Sequence, residues 1–405
     1  MFMDSTELQS SNTVEEMREK KSEMDLAKNK KRYSYMPKFG CLRADFEYPT
    51  VERSDGDDME SGCTEKDRSP THLVIMVNGI FGSAQDWRFA AQQFLKRYPQ
   101  DVIVHRSECN SSMLTIDGVD VMGKRLADEV ISVITGYPNL QKISFIGHSL
   151  GGLVARYAIA KLYDQDIQGK ASQGNVECRS NESNDPCSEE KLIDSEGKLI
   201  DKIAGLVPMN FITVATPHLG SRGHKQVPVC CGFYTMEKVA SRASWLLART
   251  GKHLFLTDGD KRKPPLLLQM VNDTDDLKFI SALKSFKRRV AYANANFDHI
   301  VGWSTSSIRR RSELPKRQRL SRNDKYPHIV NEELAITANP QQELSLEIIK
   351  VNGYKTIDME EAMIRSLTKL SWERVDVSFR GSKQRFFAHG TIQASSCFCL
   401  KSHNM

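Results

Sequence analysis

Ser149 stands at the centre of Gly147-His148-Ser149-Leu150-Gly151, a spacing that can present a serine hydroxyl as a nucleophile. The flanks give the pattern meaning. An apolar run, Lys142 to Gly147, leads into it, and an alanine- and leucine-bearing stretch, Leu150 to Tyr163, leads out. A strand feeding a sharp turn and then a helix pushes the serine oxygen clear of both elements. The flanking glycines leave room where side chains would collide with the turn.

A serine hydroxyl is a weak nucleophile: it needs a base, and the base needs an orienting acid. With this turn the partners follow in the order serine, acid, histidine. Of ten histidines, only His299, His328, His389 and His403 lie far enough downstream. His328 sits just past a basic stretch, His403 lies two residues from the end, and His299 adjoins the best acid candidate and cannot easily face it. His389 follows the last expected strand, where the base belongs. For the acid, Asp298 follows the apolar stretch Val290 to Phe297; Asp273, Asp275 and Asp276 precede a helix and read as caps. A tetrahedral oxyanion needs backbone N–H donors. Leu150, next to the nucleophile, is one, and Ile80 in the glycine-bearing loop Asn78 to Gly82 is the other.

These groups require a scaffold. Strand and helix signals alternate from about residue 70, as in a mostly parallel sheet with helices on both faces. Strands are expected at His72 to Asn78, Asp101 to His105, Lys142 to Gly147, Asn210 to Thr216, Arg289 to Ala293 and Trp372 to Phe379. Helices are expected at Val119 to Ile134 and Leu150 to Tyr163, and from a cap at Asp358, with Glu361 three residues on, to about Leu370. The fold class is therefore α/β, of the α/β-hydrolase type. Residues 1–65 read as a poorly ordered extension and 66–405 as the hydrolase domain. Within it lie a polar insertion at 165–201, a lid-like segment at 217–276 and a basic loop at 305–328. Met236, Val239, Ala240, Ala243, Leu246 and Leu247 share one helical face in the lid-like segment, with Trp245 beside Leu246 and Leu247; two readings stay open, a lid that shelters an acyl chain and a helix simply packed on the sheet.

Composition bounds the remaining classes. No apolar run is long enough to span a bilayer. The nine cysteines are odd in number and follow no framework spacing, so reduced thiols in a cytoplasmic protein are expected. Cys230-Cys231 and Cys397-x-Cys399 lack further ligands at metal spacing, and neither a metal nor a cofactor is expected. The net charge of +6 is concentrated at Lys28 to Arg32 and in Arg309, Arg310, Arg311, Lys316, Arg317, Arg319 and Arg322. The second cluster reads as a solvated loop. No aromatics interleave with it, so nucleic-acid binding is not expected; a peripheral membrane contact is kept as a partner expectation, and the oligomeric state stays open.

Several blocks together resemble the eukaryotic putative serine esterase family of lipase-like α/β-hydrolases, especially its plant members. They are His72 to Gly82, Ile146 to Tyr157, Phe211 to Gly220, and Arg289 to Asn294 through Ile300 to Trp303. The resemblance covers most of residues 70 to 392, and the Thr216-Pro217-His218-Leu219-Gly220 and Trp303 blocks are its more specific parts. It implies ester hydrolysis on a lipid or acyl substrate, within lipid metabolism, and supports Ser149, Asp298 and His389 as a catalytic triad.

Two departures stand out. The family's His-Gly before the oxyanion loop is Asn78-Gly79 here, which changes a side chain and keeps the backbone donors. After His389 the family runs on through further strand and a closing helix, whereas this chain has only Gly390 to Met405. A shortened tail is expected to uncover part of one sheet face, at a cost on the order of several kcal/mol. Two rivals remain open at this stage: an acyltransferase using the same triad, and a non-catalytic interaction protein on the same fold.

Overall fold

The computed structural model describes residues 51–52, 70–165, 201–221, 247–260, 263–322, 324–335 and 356–394. An eight-stranded sheet, ordered β1-β3-β2-β4-β5-β6-β8-β7, forms the centre. Its strands are β1 (Val51–Glu52), β2 (His72–Val77), β3 (Val102–Arg106), β4 (Lys142–His148), β5 (Val207–Val214), β6 (Arg288–Asn294), β7 (Ile329–Glu333) and β8 (Glu373–Val377). From β3 across to β8 the pairing is parallel, and the edge strands β1 and β7 run antiparallel. Strands alternating with helices along the chain, as expected from sequence, build a mostly parallel sheet.

Burial on both faces explains the strand sequences. Leu73, Ile75 and Val77 of β2 point into one core, with Met122, Leu126, Leu153 and Phe211. Val74 and Met76 point into the other, with Trp87, Phe94, Val375 and Ile392. Each such side chain contributes roughly 1.5–3 kcal/mol by leaving water.

The helices are α1 (Arg88–Arg97), α2 (Val119–Gly136), α3 (Leu150–Leu162), α4 (Ala248–Leu254), α5 (Leu266–Gln269), α6 (Phe279–Ser285), α7 (Trp303–Ser307), α8 (Thr356–Thr368) and α9 (Ala388–Ala394). All residues of α3 except Lys161 are buried, because α3 lies between β4, α2 and α6. A helix enclosed on every side needs apolar residues all round, and its sequence supplies them.

Three sequence expectations change. Asp358 does not cap α8; it lies inside the first turn of a helix that starts at Thr356. Glu361, the expected capping-box partner, instead binds the Arg310 guanidinium at 2.9 and 2.7 Å. The basic loop 305–328 is not simply solvated. It begins within α7, and Arg309 is buried against Asp376 of β8 (2.9 and 3.0 Å) and Glu333 of β7 (2.8 Å). Those carboxylates are distant in sequence, so a local count of charge could not reveal them. Strand β7 was not expected either: an edge strand needs no apolar run on its open side, and Asn331-Glu332-Glu333 has none.

Within the expected extension 1–65, Val51–Glu52 pair with β3. The rest of that extension, nearly all of the 165–201 insertion, the apolar face from Met236 to Leu246 and the paired cysteines lie outside the described residues. No helix among the described residues is long and apolar enough to cross a membrane.

Candidate active site

Strand β4 ends at His148 and α3 begins at Leu150, so Ser149 alone makes the turn. Its backbone sits at φ 52°, ψ −125°, a left-handed conformation that a residue with a side chain adopts only under constraint. The Ser149 N–H is bound to the Val214 oxygen at 2.8 Å. Gly151 explains how tightly α3 meets the sheet. A Cβ there would lie 2.5 Å from the Asn78 carbonyl oxygen and closer still to that of Val77.

The structure brings Ser149, His389 and Asp298 together from three strand ends. Asp298 follows β6 and His389 is the second residue of α9, beyond β8. His389 Nδ1 lies 3.0 Å from Asp298 Oδ2, and His389 Nε2 lies 2.9 Å from Ser149 Oγ. A carboxylate only accepts, so Nδ1 carries the proton. Nε2 of the neutral ring is then a lone pair, and it accepts from the Ser149 hydroxyl.

Asp298 is held as a charged acceptor. Burial pushes its carboxyl up, but the His389 imidazole and bonds from His389, Val301 N–H and Asn294 outweigh that and hold it below the ordinary value. Its Oδ1 accepts from the Ile300 and Val301 N–H groups at 3.0 and 2.8 Å, and Oδ2 accepts from Asn294 Nδ2 at 2.9 Å.

The other sequence candidates fall elsewhere. His299 is exposed. His328 Nδ1 is 3.3 Å from the Ser378 carbonyl, and His403 lies outside the described residues. Asp273 caps α6, accepting from the Ile280 and Ser281 N–H groups at 2.8 and 3.1 Å.

The loop Asn78 to Gly82 lies against the nucleophile: a Cβ on Gly79 would stand 3.0 Å from Ser149 Cβ. Asn78, in place of the family's histidine, donates through Nδ2 to Gly79 O at 3.1 Å and Asn110 O at 2.9 Å. The side chain thus ties this loop to the one after β3. Phe81 N–H binds Thr115 Oγ1 and Gly82 N–H binds Gly79 O. Ile80 lies between these occupied donors. Leu150 is the first residue of α3, where a backbone N–H has no carbonyl one helical turn back to bind.

Two further residues belong to this arrangement, and the sequence reading passed over both. His148 Nε2 is 2.8 Å from the His389 backbone oxygen. Asn294, last in β6, donates from Nδ2 to Asp298 Oδ2 and, at 3.2 Å, to the Ala388 oxygen. Their only sequence signal is position, one residue before the nucleophile and four before the acid. The Thr216-to-Gly220 block turns out to be a packing device. His218 is fully buried against Thr213 Oγ1 (2.9 Å) and the Trp372 ring, and Leu219 N–H binds Thr305. Among the described residues no group of three or more His, Cys, Asp and Glu side chains could hold a metal ion.

Residues 67–308, more than half of the chain, match the family model described as "Putative serine esterase (DUF676)". The chain is 28% identical over 270 residues to "Putative lipase ROG1" of Saccharomyces cerevisiae, covering 64% of this chain and 32% of that protein. It is 26% identical over 248 residues to "Putative lipase C4A8.10" of Schizosaccharomyces pombe, covering 59% and 26%. The chain thus spans about a third or less of the length of these relatives. Among solved structures it is similar to the mature form of Bacillus licheniformis lipase BlEst2, at 12% identity and a TM-score of 0.32, over 62% of this chain and 74% of that one.

Proposed function

The chain belongs to the putative serine esterase family, and from that premise we propose that it hydrolyses a carboxylic ester of a lipid or other acyl substrate. Ser149 is the nucleophile, His389 the general base and acid, and Asp298 the orienting acid. The observation that carries this reading is the unbroken hydrogen-bonded run from Ser149 Oγ through the His389 ring to Asp298 Oδ2.

As Ser149 Oγ attacks the ester carbonyl carbon, its proton passes to His389 Nε2. Asp298, already accepting at Nδ1, stabilises the imidazolium that forms. The carbonyl oxygen becomes an oxyanion, met by the N–H groups of Ile80 and Leu150. Collapse expels the alcohol, which takes the Nε2 proton, and leaves an acyl group on Ser149. Water, deprotonated by His389, then releases the acid and restores the serine.

Labelling of the full chain by a fluorophosphonate, with Ser149→Ala as control, tests the nucleophile. No Ser149-dependent labelling of folded protein would sink the reading. Product analysis with and without an added alcohol distinguishes hydrolysis from acyl transfer to that alcohol.

A further inference from the structure

Six large apolar side chains stand exposed among the described residues: Phe81, Met113, Phe297, Leu334, Phe386 and Phe387. Scattered exposed apolar residues need no explanation, but these are not scattered. Strands β2, β3, β6 and β8 run parallel, so the loops after them leave at one edge of the sheet, the edge that holds Ser149. Phe81 follows β2, Met113 follows β3, Phe297 follows β6, and Phe386 and Phe387 follow β8. Only Leu334 leaves elsewhere, after the antiparallel β7.

The exposed aromatics also sit beside the site residues in sequence. Phe81 adjoins Ile80, Phe297 adjoins Asp298, and Phe387 lies two residues before His389. Exposure is largest at Phe386 and Phe387, 65% and 76%. Phe81 and Phe297 are held at φ 55° and 64°, where a bulky side chain is unfavourable and glycine or asparagine would cost less. A turn alone would not call for phenylalanine at either place.

Charge identifies the occupant. The Arg385 guanidinium lies 4.8 Å from the Phe386 ring centroid and 5.9 Å from that of Phe297, joining the loop before His389 to the loop before Asp298. Arg380 and Lys383 are exposed on the same stretch, and no aspartate or glutamate occurs from Arg380 onward. Among the described residues Asp86 and Glu108 are exposed after β2 and β3, and Glu313 and Asp324 between β6 and β7; Asp86 already accepts from the Ser83 N–H and Glu313 from Arg310. Aromatic side chains interleaved with cations suit a surface that is apolar beneath and anionic on top. A second copy fits poorly, because a two-fold contact through this patch would set Lys383 and Arg385 against their own equivalents.

We propose that this rim docks on a bilayer surface bearing anionic headgroups. Phe386 and Phe387 enter the acyl boundary, and Lys383 and Arg385 lie at the level of the phosphates. The proposal rests on the ester-hydrolase reading for its purpose, since docking brings the Ser149 edge of the sheet to lipid acyl esters. The contact itself requires no catalysis.

The test uses the full chain carrying Ser149→Ala, sedimented with vesicles of phosphatidylcholine alone or with a phosphatidylserine fraction. Tighter binding to the anionic vesicles is expected. Adding Phe386→Ser with Phe387→Ser should weaken it at least tenfold, and Lys383→Gln with Arg385→Gln should abolish the preference for phosphatidylserine. Phe386 and Phe387 are surface groups, so with that pair changed the melting temperature should hardly move, and on the Ser149 background hydrolysis of a water-soluble short-chain ester should be unchanged. Equal vesicle binding by the parent and the double phenylalanine variant, or none by the folded parent, would overturn the proposal. So would a dimer in sedimentation velocity that the phenylalanine changes dissociate. Failure of Ser149-dependent hydrolysis with vesicle binding intact would count against the esterase reading alone.

Discussion

His148 holds the backbone of His389: its Nε2 lies 2.8 Å from the His389 carbonyl oxygen, and the two rings are 4.8 Å apart. A carbonyl only accepts, so Nε2 of His148 carries a proton and donates. The ring is buried and stays neutral, because burial and the neighbouring His389 lower its pKa to about 3. The preceding carbonyl, that of Ala388, is held by Asn294. Two side chains at the ends of β4 and β6 therefore fix the chain where the proposed base leaves it.

From this contact we expect His148→Ala to lower the rate of Ser149 acylation by about 10- to 100-fold, the usual result of displacing a reacting group by about an ångström. KM should change little, since His148 does not meet substrate. His148→Gln, whose amide nitrogen can take the place of Nε2, should recover most of the loss. Fluorophosphonate labelling rates and ester kinetics measure both. An unimpaired alanine variant would remove His148 from any positioning role.

Gly151 and Gly136 form a matched pair for stability. A Cβ on Gly151 would drive into the backbone oxygens of Val77 and Asn78, whereas one on Gly136, at the end of α2, would meet no heavy atom within 4 Å. Gly151→Ala should cost about 1–3 kcal/mol or more, because backbone cannot yield as a flexible side chain can. Gly136→Ala should be neutral or gain up to about 1 kcal/mol through a less flexible unfolded chain. Urea unfolding of both variants measures the contrast, and equal midpoints would contradict the packing at the turn.

Acid should destabilise the fold earlier than its carboxylates alone would require. Burial lowers the pKa of His72 to about 4 and that of His148 to about 3, and it also lowers those of His218 and His253. Above about pH 6.5 these rings are neutral both folded and unfolded, so they add no pH dependence. As pH falls below that value the unfolded chain binds protons that the folded chain excludes. Each ring then removes about 1.4 kcal/mol per pH unit until its folded value is reached. Asp298, with its pKa depressed, adds a further loss only at lower pH, below the ordinary carboxylate value. Urea midpoints should be level near pH 7 to 8 and drop steeply toward pH 4. His148→Gln should shallow that slope by about one proton, and an unchanged slope would mean that His148 takes up a proton in the folded state.

The sequence exposed the parts of this molecule whose signals are local. The buried parallel strands read as apolar runs and the turn at Ser149 as glycines between a strand and a helix, whereas the sheet order, with β3 outside β2 and β8 before β7, leaves no local mark on the chain. Asp298 is read from its place just past a strand and His389 from its place after the last one, although the chain makes a further loop between β8 and His389, which lies at the start of α9. His148 was missed because its partner is the backbone oxygen of residue 389, and Asn294 because, beside Asp298, it holds the backbone oxygen of residue 388; a contact across the sheet leaves no mark on spacing. Arg309 was misread for the same reason. A run of arginines looks solvated until the chain folds back and supplies carboxylates. The peripheral elements show the limit from the other side: β7 is held by Ile329 and Val330 in the core and by bonds between Asn331 or Glu333 and side chains distant in sequence, which no local pattern reveals.

Asp376 is the test of that folded-back network. It is fully buried, and it accepts from Arg309 Nη1, from Trp303 Nε1 at 2.6 Å and from Asn331 Nδ2 at 2.8 Å. Trp303 lies five residues beyond Asp298, and β8, which carries Asp376, leads into the loop before His389. One carboxylate therefore braces the two loops that hold the proposed acid and base. Asp376→Leu leaves the Arg309 guanidinium buried without this partner and should cost about 3–5 kcal/mol. Combining it with Arg309→Met should restore much of the stability, since a buried pair is replaced by apolar groups rather than broken. Ser149 labelling should stay slow in the double variant even where its melting temperature recovers, because Trp303 and Asn331 have still lost their acceptor. A single variant that costs less than about 1 kcal/mol would show that Glu333, the other carboxylate on Arg309, suffices. Full recovery of labelling in the double variant would separate the network from the site.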